Sequence, residues 1–175
     1  RALAKSVNKR DKKIMGVILA AGNSTRMGKD NKLLKNIDGT PLIRNIVLEI
    51  TKSDLDSCSI VLGYQSDKVA DVIKDLNINL ILNPQWKEGQ ASSLKAALNS
   101  LTSSYTDVLI MLGDLPGIKS SHINRIIEEH LSSENRRSKI TIPSFKGKKG
   151  NPVIWGRSFF HDLSNLEGDV GGRVL

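Results

Sequence analysis

From Ile14 onward the chain alternates short apolar runs with amphipathic stretches of helical length, and the period shifts repeatedly between the two. Five runs read as strands, at residues 14–19, 59–63, 79–82, 107–112 and 139–142, with a sixth at 152–155 pairing near the sheet edge. Between them helical patterns cover 41–52, 66–76, 90–101 and 120–131, with a short one at 157–163. Strands alternating with helices of this length predict βαβ units, hence an α/β domain with a mostly parallel sheet. The run Val108-Leu109-Ile110-Met111-Leu112 is apolar at every position, which places it in the middle of that sheet, covered on both faces.

Helix starts carry recognisable chemistry. Thr40 precedes Pro41 at a first helical position, Ser66 is placed to cap the second helix, and Ser120 or Ser121 the fourth. No repeat or low-complexity segment interrupts the pattern. The chain reaches Val174-Leu175 straight after a Gly-rich stretch without a closing element, which predicts one domain over 14–175 that continues past the last residue.

Composition narrows the class. With 175 residues, 25% of them charged, and no apolar run near the roughly 18 to 20 residues of a membrane span, the expectation is one soluble domain without a membrane role. The formal charge of +8 invites a nucleic-acid reading, but its distribution argues against one. Residues 1–13 hold six cations against Asp11, which leaves the other 162 nearly balanced. Those thirteen read as a basic linker or the tail of a preceding domain. The few aromatics form no base-stacking stripe. Cys58 is the sole cysteine, so a disulfide framework and a cysteine zinc site are excluded, in keeping with a reducing cytoplasm.

Ligands of open α/β sheets bind beyond the carboxyl ends of the strands, so the loops there come first. The loop after the first strand runs Leu19-Ala20-Ala21-Gly22-Asn23-Ser24-Thr25-Arg26-Met27-Gly28-Lys29-Asp30-Asn31-Lys32. Its small residues let backbone N–H groups approach a phosphate, and Arg26 and Lys32 bring charge for a polyphosphate. It is not a Walker A loop, because five residues separate Gly22 from Gly28 and Lys29 is followed by Asp30; nor is it the dinucleotide G-x-G-x-x-G.

The stretch L-A-A-G-x-S-x-R-M-G, then a lysine and Leu33-Leu34, resembles the signature of the MobA-like nucleotidyltransferases, and within them the molybdenum cofactor cytidylyltransferase family. That resemblance implies a three-layer, Rossmann-like nucleotidyltransferase fold. It implies nucleotide binding by Leu19, Ala20, Ala21, Gly22, Ser24, Thr25, Arg26, Gly28 and Lys32, with Arg26, Lys32 and Asp114 catalytic. Cytidylyl-specific members carry Leu-Ala-Ala-Gly where guanylyl-specific ones carry Leu-Ala-Gly-Gly, so CTP is the implied substrate; the Cβ of Ala21 narrows the space beside the base. Sugar-nucleotide enzymes share Leu-Ala-Ala-Gly but usually place Pro before the lysine, where this chain has Asn31.

Asp114 follows a strand in Leu112-Gly113-Asp114-Leu115-Pro116. An isolated Gly-Asp-x-Pro is a turn cap; beside a polyphosphate loop, the carboxylate suits Mg²⁺ (or Mn²⁺), which takes one or two carboxylates plus phosphate oxygens. The family's Gly-Asp-Met-Pro element matches it, with Leu115 for Met. Gly168-Asp169-Val170-Gly171-Gly172-Arg173 is similar to a second family element, Gly-Asp-x-Gly-Ala-Arg, which makes Asp169 a second metal candidate, although the same residues also read as a surface turn.

Asn83-Pro84-Gln85-Trp86-Lys87-Glu88-Gly89 leads into the helix at Gln90. Free N–H groups at that helix start, with Ser92 and Ser93, suit an anion. The segment resembles a family region beside nucleotide and acceptor, which adds Asn83 and Gly89 to the nucleotide-binding set; Trp86 fits packing equally well. Phe145-Lys146-Gly147-Lys148-Lys149-Gly150-Asn151-Pro152 reads as a basic hairpin tip, and the family's Gly-x-Pro loop implies acceptor contacts at Gly150, Asn151 and Pro152. His122, His130 and His161 lie in helical patterns without ligand spacing and receive no catalytic role.

The resemblance therefore implies transfer of CMP from CTP to the phosphate of molybdenum-molybdopterin, the product passing to a molybdenum hydroxylase. A guanylyltransferase, a sugar-phosphate nucleotidyltransferase and a non-catalytic cofactor carrier remain as alternatives.

Overall fold

The computed structural model describes residues 13–23 and 31–169. In chain order the strands and helices are β1 (Ile14–Ala20), β2 (Asn36–Ile37), β3 (Thr40–Pro41), α1 (Leu42–Thr51), β4 (Ser57–Leu62), α2 (Ser66–Asp71), β5 (Asn79–Leu82) and α3 (Gln90–Asn99). Then follow β6 (Asp107–Leu112), α4 (Ser120–Leu131), β7 (Ile140–Thr141), β8 (Ser144–Phe145), β9 (Lys148–Lys149), β10 (Val153–Gly156) and α5 (Phe160–Ser164). The main sheet has the order β5-β4-β1-β6-β10-β7. β1, β4, β5 and β6 are parallel, while β10 runs antiparallel between β6 and β7. This is the three-layer α/β nucleotidyltransferase fold: successive connections leave β1 to one side for β4 and β5 and to the other for β6.

Alternation along the central strands builds two cores. Ile14, Ile18 and Ala20 of β1, with Leu109 and Met111 of β6, face Ile43, Ile46, Ile123 and Ile127 on α1 and α4. Met15, Val17 and Leu19, with Val108 and Ile110, face the opposite layer, where Leu94 and Ala97 of α3 and Leu163 of α5 lie. All seven β1 residues are buried, as a strand covered on both faces requires. Gly16 leaves the space that the tip of Leu55 fills, since a Cβ there would meet Leu55 Cδ1 at 2.5 Å.

Several expected helix starts differ. Pro41 is the cap position of α1 rather than its first residue. Ser66 is already helical, preceded by Gln65 in the left-handed region, and makes no capping bond. α4 is preceded by Lys119, and its Ser120 N–H is taken by the Glu49 carboxylate of α1 at 2.8 Å. That hydrogen bond holds Glu49 below the usual carboxylate range. A tertiary acid has replaced the local serine cap, and it favours the positive end of the helix dipole.

At the opposite end of β6 from Asp114 lies a buried polar network. Asp107 Oδ1 is 3.0 Å from His130 Nε2, its Oδ2 accepts from Thr106 Oγ1 at 2.6 Å and lies 3.6 Å from Arg136 Nε, and His130 Nδ1 faces Thr141 Oγ1 at 2.8 Å. Asp107 and His130 are fully buried. The network ties β6, α4, β7 and the 136–138 turn together.

Among the described residues, no helix is long and apolar enough to cross a membrane.

Candidate active site

The strand order changes direction between β1 and β6, and open α/β sheets leave a crevice beyond the carboxyl ends at such a point. A cleft of about 890 Å³ lies there. The end of β1 and the residues after it supply Leu19, Ala20, Ala21 and Gly22 to its wall, and the end of β6 and the turn after it supply Leu112, Gly113 and Asp114. Gly113 is held to β1 by its N–H on Leu19 O at 2.9 Å, and a Cβ on it would press Ala20 at 3.1 Å. The acid after β6 is thereby locked against the small-residue end of β1.

Lys32 enters the cleft from the short 3₁₀ turn Lys32–Leu34. Asn31 forms that turn: its Oδ1 accepts the Leu33 N–H at 3.0 Å, and its backbone carbonyl accepts that of Leu34 at 3.0 Å. Lys32 Nζ stands 3.1 Å from Asp114 Oδ2, joining residues 82 positions apart, with both side chains partly exposed.

The opposite wall is the start of α3, with Gly89, Gln90 and Ser93 on the cleft. Gly89 has φ 100° and ψ −179°, a conformation essentially confined to glycine, and a Cβ would collide with the backbone of Gly168. Gly168 O accepts the Ala91 N–H at 3.1 Å, and Asp169 beside it reaches the cleft wall. Gly89→Ala is therefore expected to cost about 1–3 kcal/mol and to release the 168–169 segment. A lowered melting temperature together with faster hydrogen exchange at the Ala91 amide checks this.

The expectation of free N–H groups at this helix start needs correction at Ala91 and Ser92. The Gly89 N–H bonds Trp86 O, that of Ala91 bonds Gly168 O, and that of Ser92 bonds Gly89 O. Asn83 and Ser92 are likewise buried beneath the cleft wall: Asn83 Nδ2 donates to Ser92 Oγ at 2.9 Å and Ser93 Oγ at 3.1 Å, and its Oδ1 accepts the Gln85 N–H. Asn83 thus clamps the 83–93 segment from below, while Ser93 reaches the wall. Trp86 packs on Tyr64 at 5.5 Å between centroids and also lines the cleft. Gly63 makes room, since a Cβ would meet Trp86 Cβ at 2.5 Å.

Gly150, Asn151 and Pro152 lie off the cleft wall, in the turn that enters β10 at the end of the sheet where β6 finishes. The adjoining β8–β9 hairpin exposes Phe145 and Lys146, Lys148 and Lys149. Ser24, Thr25, Arg26, Gly28, the basic segment 1–12 and the stretch 170–175 lie outside the described residues. Cleft residues that sequence reasoning did not single out are Asn23, Lys87, Glu88 and Gln90; Asn31, which aims Lys32, was noted there only as a departure from the family pattern.

Among the described residues, no three His, Cys, Asp or Glu side chains gather as a metal cage. Two carboxylates on a cleft with room for a polyphosphate are instead the donor set Mg²⁺ or Mn²⁺ uses when substrate completes its shell. Cys58 lies outside this cleft, and burial pushes its thiol up to about 11, so it is no nucleophile.

Comparison with known proteins agrees with the geometry. The model of the MobA-like NTP transferase domain matches residues 16–175. Among curated proteins, GlmU of Prochlorococcus marinus is 26% identical over 151 residues, which are 86% of this chain and 32% of GlmU. The chain thus spans about a third of that relative's length. Among solved structures, Rv0371c of Mycobacterium tuberculosis superposes with a TM-score of 0.79 at 26% identity, covering 92% of this chain and 80% of that one. Its complex with manganese superposes with a TM-score of 0.75 at 25% identity, covering 90% and 78%.

Proposed function

This chain belongs to the MobA-like NTP transferase domain family, and from that premise we propose that it transfers a nucleoside monophosphate to a phosphorylated acceptor. The finer reading is CMP transfer from CTP to molybdenum-molybdopterin, the product passing to a molybdenum hydroxylase. One observation carries the transferase reading: Lys32, Asp114 and Asp169, from three distant stretches, line one cleft floored by Leu-Ala-Ala-Gly.

In the reaction an acceptor phosphate oxygen forms a bond to the α-phosphorus of the triphosphate. The bond from that phosphorus to the oxygen bridging to the β-phosphorus breaks, and pyrophosphate leaves with the electron pair. No covalent protein nucleophile is required, because such displacements are catalysed by positioning and charge neutralisation. Lys32 supplies a mobile positive charge for the phosphates, and Ala20, Ala21 and Gly22 permit close backbone approach. Asp114 and Asp169 would hold a divalent ion. When bound, that ion supplies charge neutralisation for the triphosphate and the departing pyrophosphate. That Rv0371c has been solved in complex with manganese supports a divalent ion such as Mn²⁺ here.

CTP is favoured by Ala21, a residue of the cleft lining that stands where guanylyl-specific members carry glycine. A sugar-phosphate acceptor is the second reading, since Leu-Ala-Ala-Gly also opens sugar-nucleotide enzymes; Asn31 in place of their proline favours the first. Thermal melts with CTP, GTP and ATP, with and without Mg²⁺, test the nucleotide assignment. A ligand at about 100 times its Kd adds roughly 2.7 kcal/mol of stability. The expected result is a magnesium-dependent shift largest for CTP; a shift largest for GTP moves the assignment to guanylyl transfer, and no shift with any nucleotide removes the transferase reading.

A further inference from the structure

We propose that Lys32 is a tethered cation that holds Asp114 until a polyphosphate arrives, so that divalent ion and nucleotide enter the cleft as a coupled pair; this rests on the transferase reading above. Lys32 Nζ is 3.1 Å from Asp114 Oδ2. A magnesium-type ion bonds a carboxylate oxygen at about 2.0–2.1 Å. Two cations on that one oxygen therefore stand no more than about 5 Å apart, a single and a double positive charge repelling each other in a partly buried cleft.

The ammonium can leave, because its anchor and its reach are separate. Asn31, 7% exposed, fixes the backbone of the Lys32–Leu34 turn through Leu33 N–H, and Leu33 is buried. The four-carbon stem of Lys32 remains the moving part, a flexible carrier of a compact charge. Lys87, also on the cleft wall, sits with its Nζ 5.5 Å from the Trp86 ring centroid, so Lys32 is the lysine placed on Asp114. Triphosphate oxygens offer the ammonium an anionic partner of higher charge than one carboxylate. Once Lys32 swings to them, both Asp114 oxygens are open to the ion. Coupling of this kind is reciprocal: the nucleotide tightens ion binding by the factor with which the ion tightens nucleotide binding.

The test is Mn²⁺ titration of the full chain without nucleotide, read by the loss of free-ion paramagnetic resonance signal, for wild type, Lys32→Met, Asp114→Asn and the double variant. Removal of the tethered charge is expected to tighten Mn²⁺ binding about tenfold, and Asp114→Asn to abolish that gain. Should Lys32→Met fail to fold, Lys32→Gln makes the same comparison. Equal affinity in wild type and the Lys32 variants, with both weakened by Asp114→Asn, overturns the proposal and leaves the metal site standing. Mn²⁺ binding that ignores Asp114 in every variant overturns the proposal and the metal role of Asp114 together.

Discussion

Asp114→Ala is expected to reduce turnover by about 10³-fold or more while leaving the melting temperature within a degree or two of wild type. The first half follows from the site. Asp114 is partnered by Lys32 and lines the same cleft as Asp169, so on the proposed reading its loss removes one of the two carboxylates that would hold the ion. Removing one preorganised electrostatic contact in other enzymes costs about 10²–10³-fold, and a metal anchor stands at or above the top of that range. The second half follows from exposure. The Asp114 side chain is 44% exposed and its ion pair is solvent-screened, so little folding energy depends on it. Steady-state kinetics beside a thermal melt check both halves; near-normal turnover would remove Asp114 from the site.

Asp107→Ala is expected to do the reverse, costing about 3–5 kcal/mol of stability because His130 and Arg136 then lose a buried anionic partner. Burial alone would raise the Asp107 carboxyl, but hydrogen bonds from His130 and Thr106 and the Arg136 charge outweigh it and hold the group below its ordinary value. A depressed carboxyl contributes stability that is whole above its unfolded value of about 3.9 and is lost as pH falls through the folded value. Asp75, paired with Arg44 and lowered to about 2, adds to the same acid-side slope from an exposed position. Melting temperature against pH should therefore fall below about pH 4 in wild type and more shallowly in Asp107→Ala. Parallel curves would show that the network does not carry the acid dependence.

Much of the architecture was legible because local pattern and burial agree. β5, β6 and α4 have the bounds that periodicity predicts, and β1 differs by one residue. The failures have tertiary causes. α2 was expected to run to Leu76, but its regular part ends at Asp71, where Arg44 of α1 takes the Val72 carbonyl at 2.8 Å and grips Asp75 with both guanidinium nitrogens. No local signal carries that contact. The β2–β3 hairpin did carry one, Asp38-Gly39, whose positive φ angles of 52° and 81° are those of a primed turn. β10 lies near the sheet edge, as its pattern predicts, one strand in from the rim strand β7.

The site was legible in its residue types and less so in its pairings. The loop after β1 and the acid after β6 follow from where α/β sheets bind ligands, but the Lys32–Asp114 contact links positions that only folding brings together. The start of α3 misled for a related reason: a distant carbonyl, that of Gly168, satisfies an N–H group that sequence alone leaves open. His130, with Ile123 and Ile127, falls on the inward stripe of α4 at positions i, i+4 and i+7, a pattern that signals a buried and therefore partnered histidine.

The central claim is nucleotidyl transfer at the cleft between β1 and β6, and pyrophosphate release tests it most directly. The chain is incubated with Mg²⁺ and CTP, GTP, UTP or ATP, alone and with molybdopterin or a panel of sugar phosphates, beside Asp114→Ala. The account predicts pyrophosphate that appears only with acceptor, is greatest with molybdopterin, and is lost in the variant. Release with a sugar phosphate alone would move the acceptor to the second reading. Pyrophosphate release from no combination of nucleotide and acceptor, or release equal in wild type and Asp114→Ala, would contradict the account.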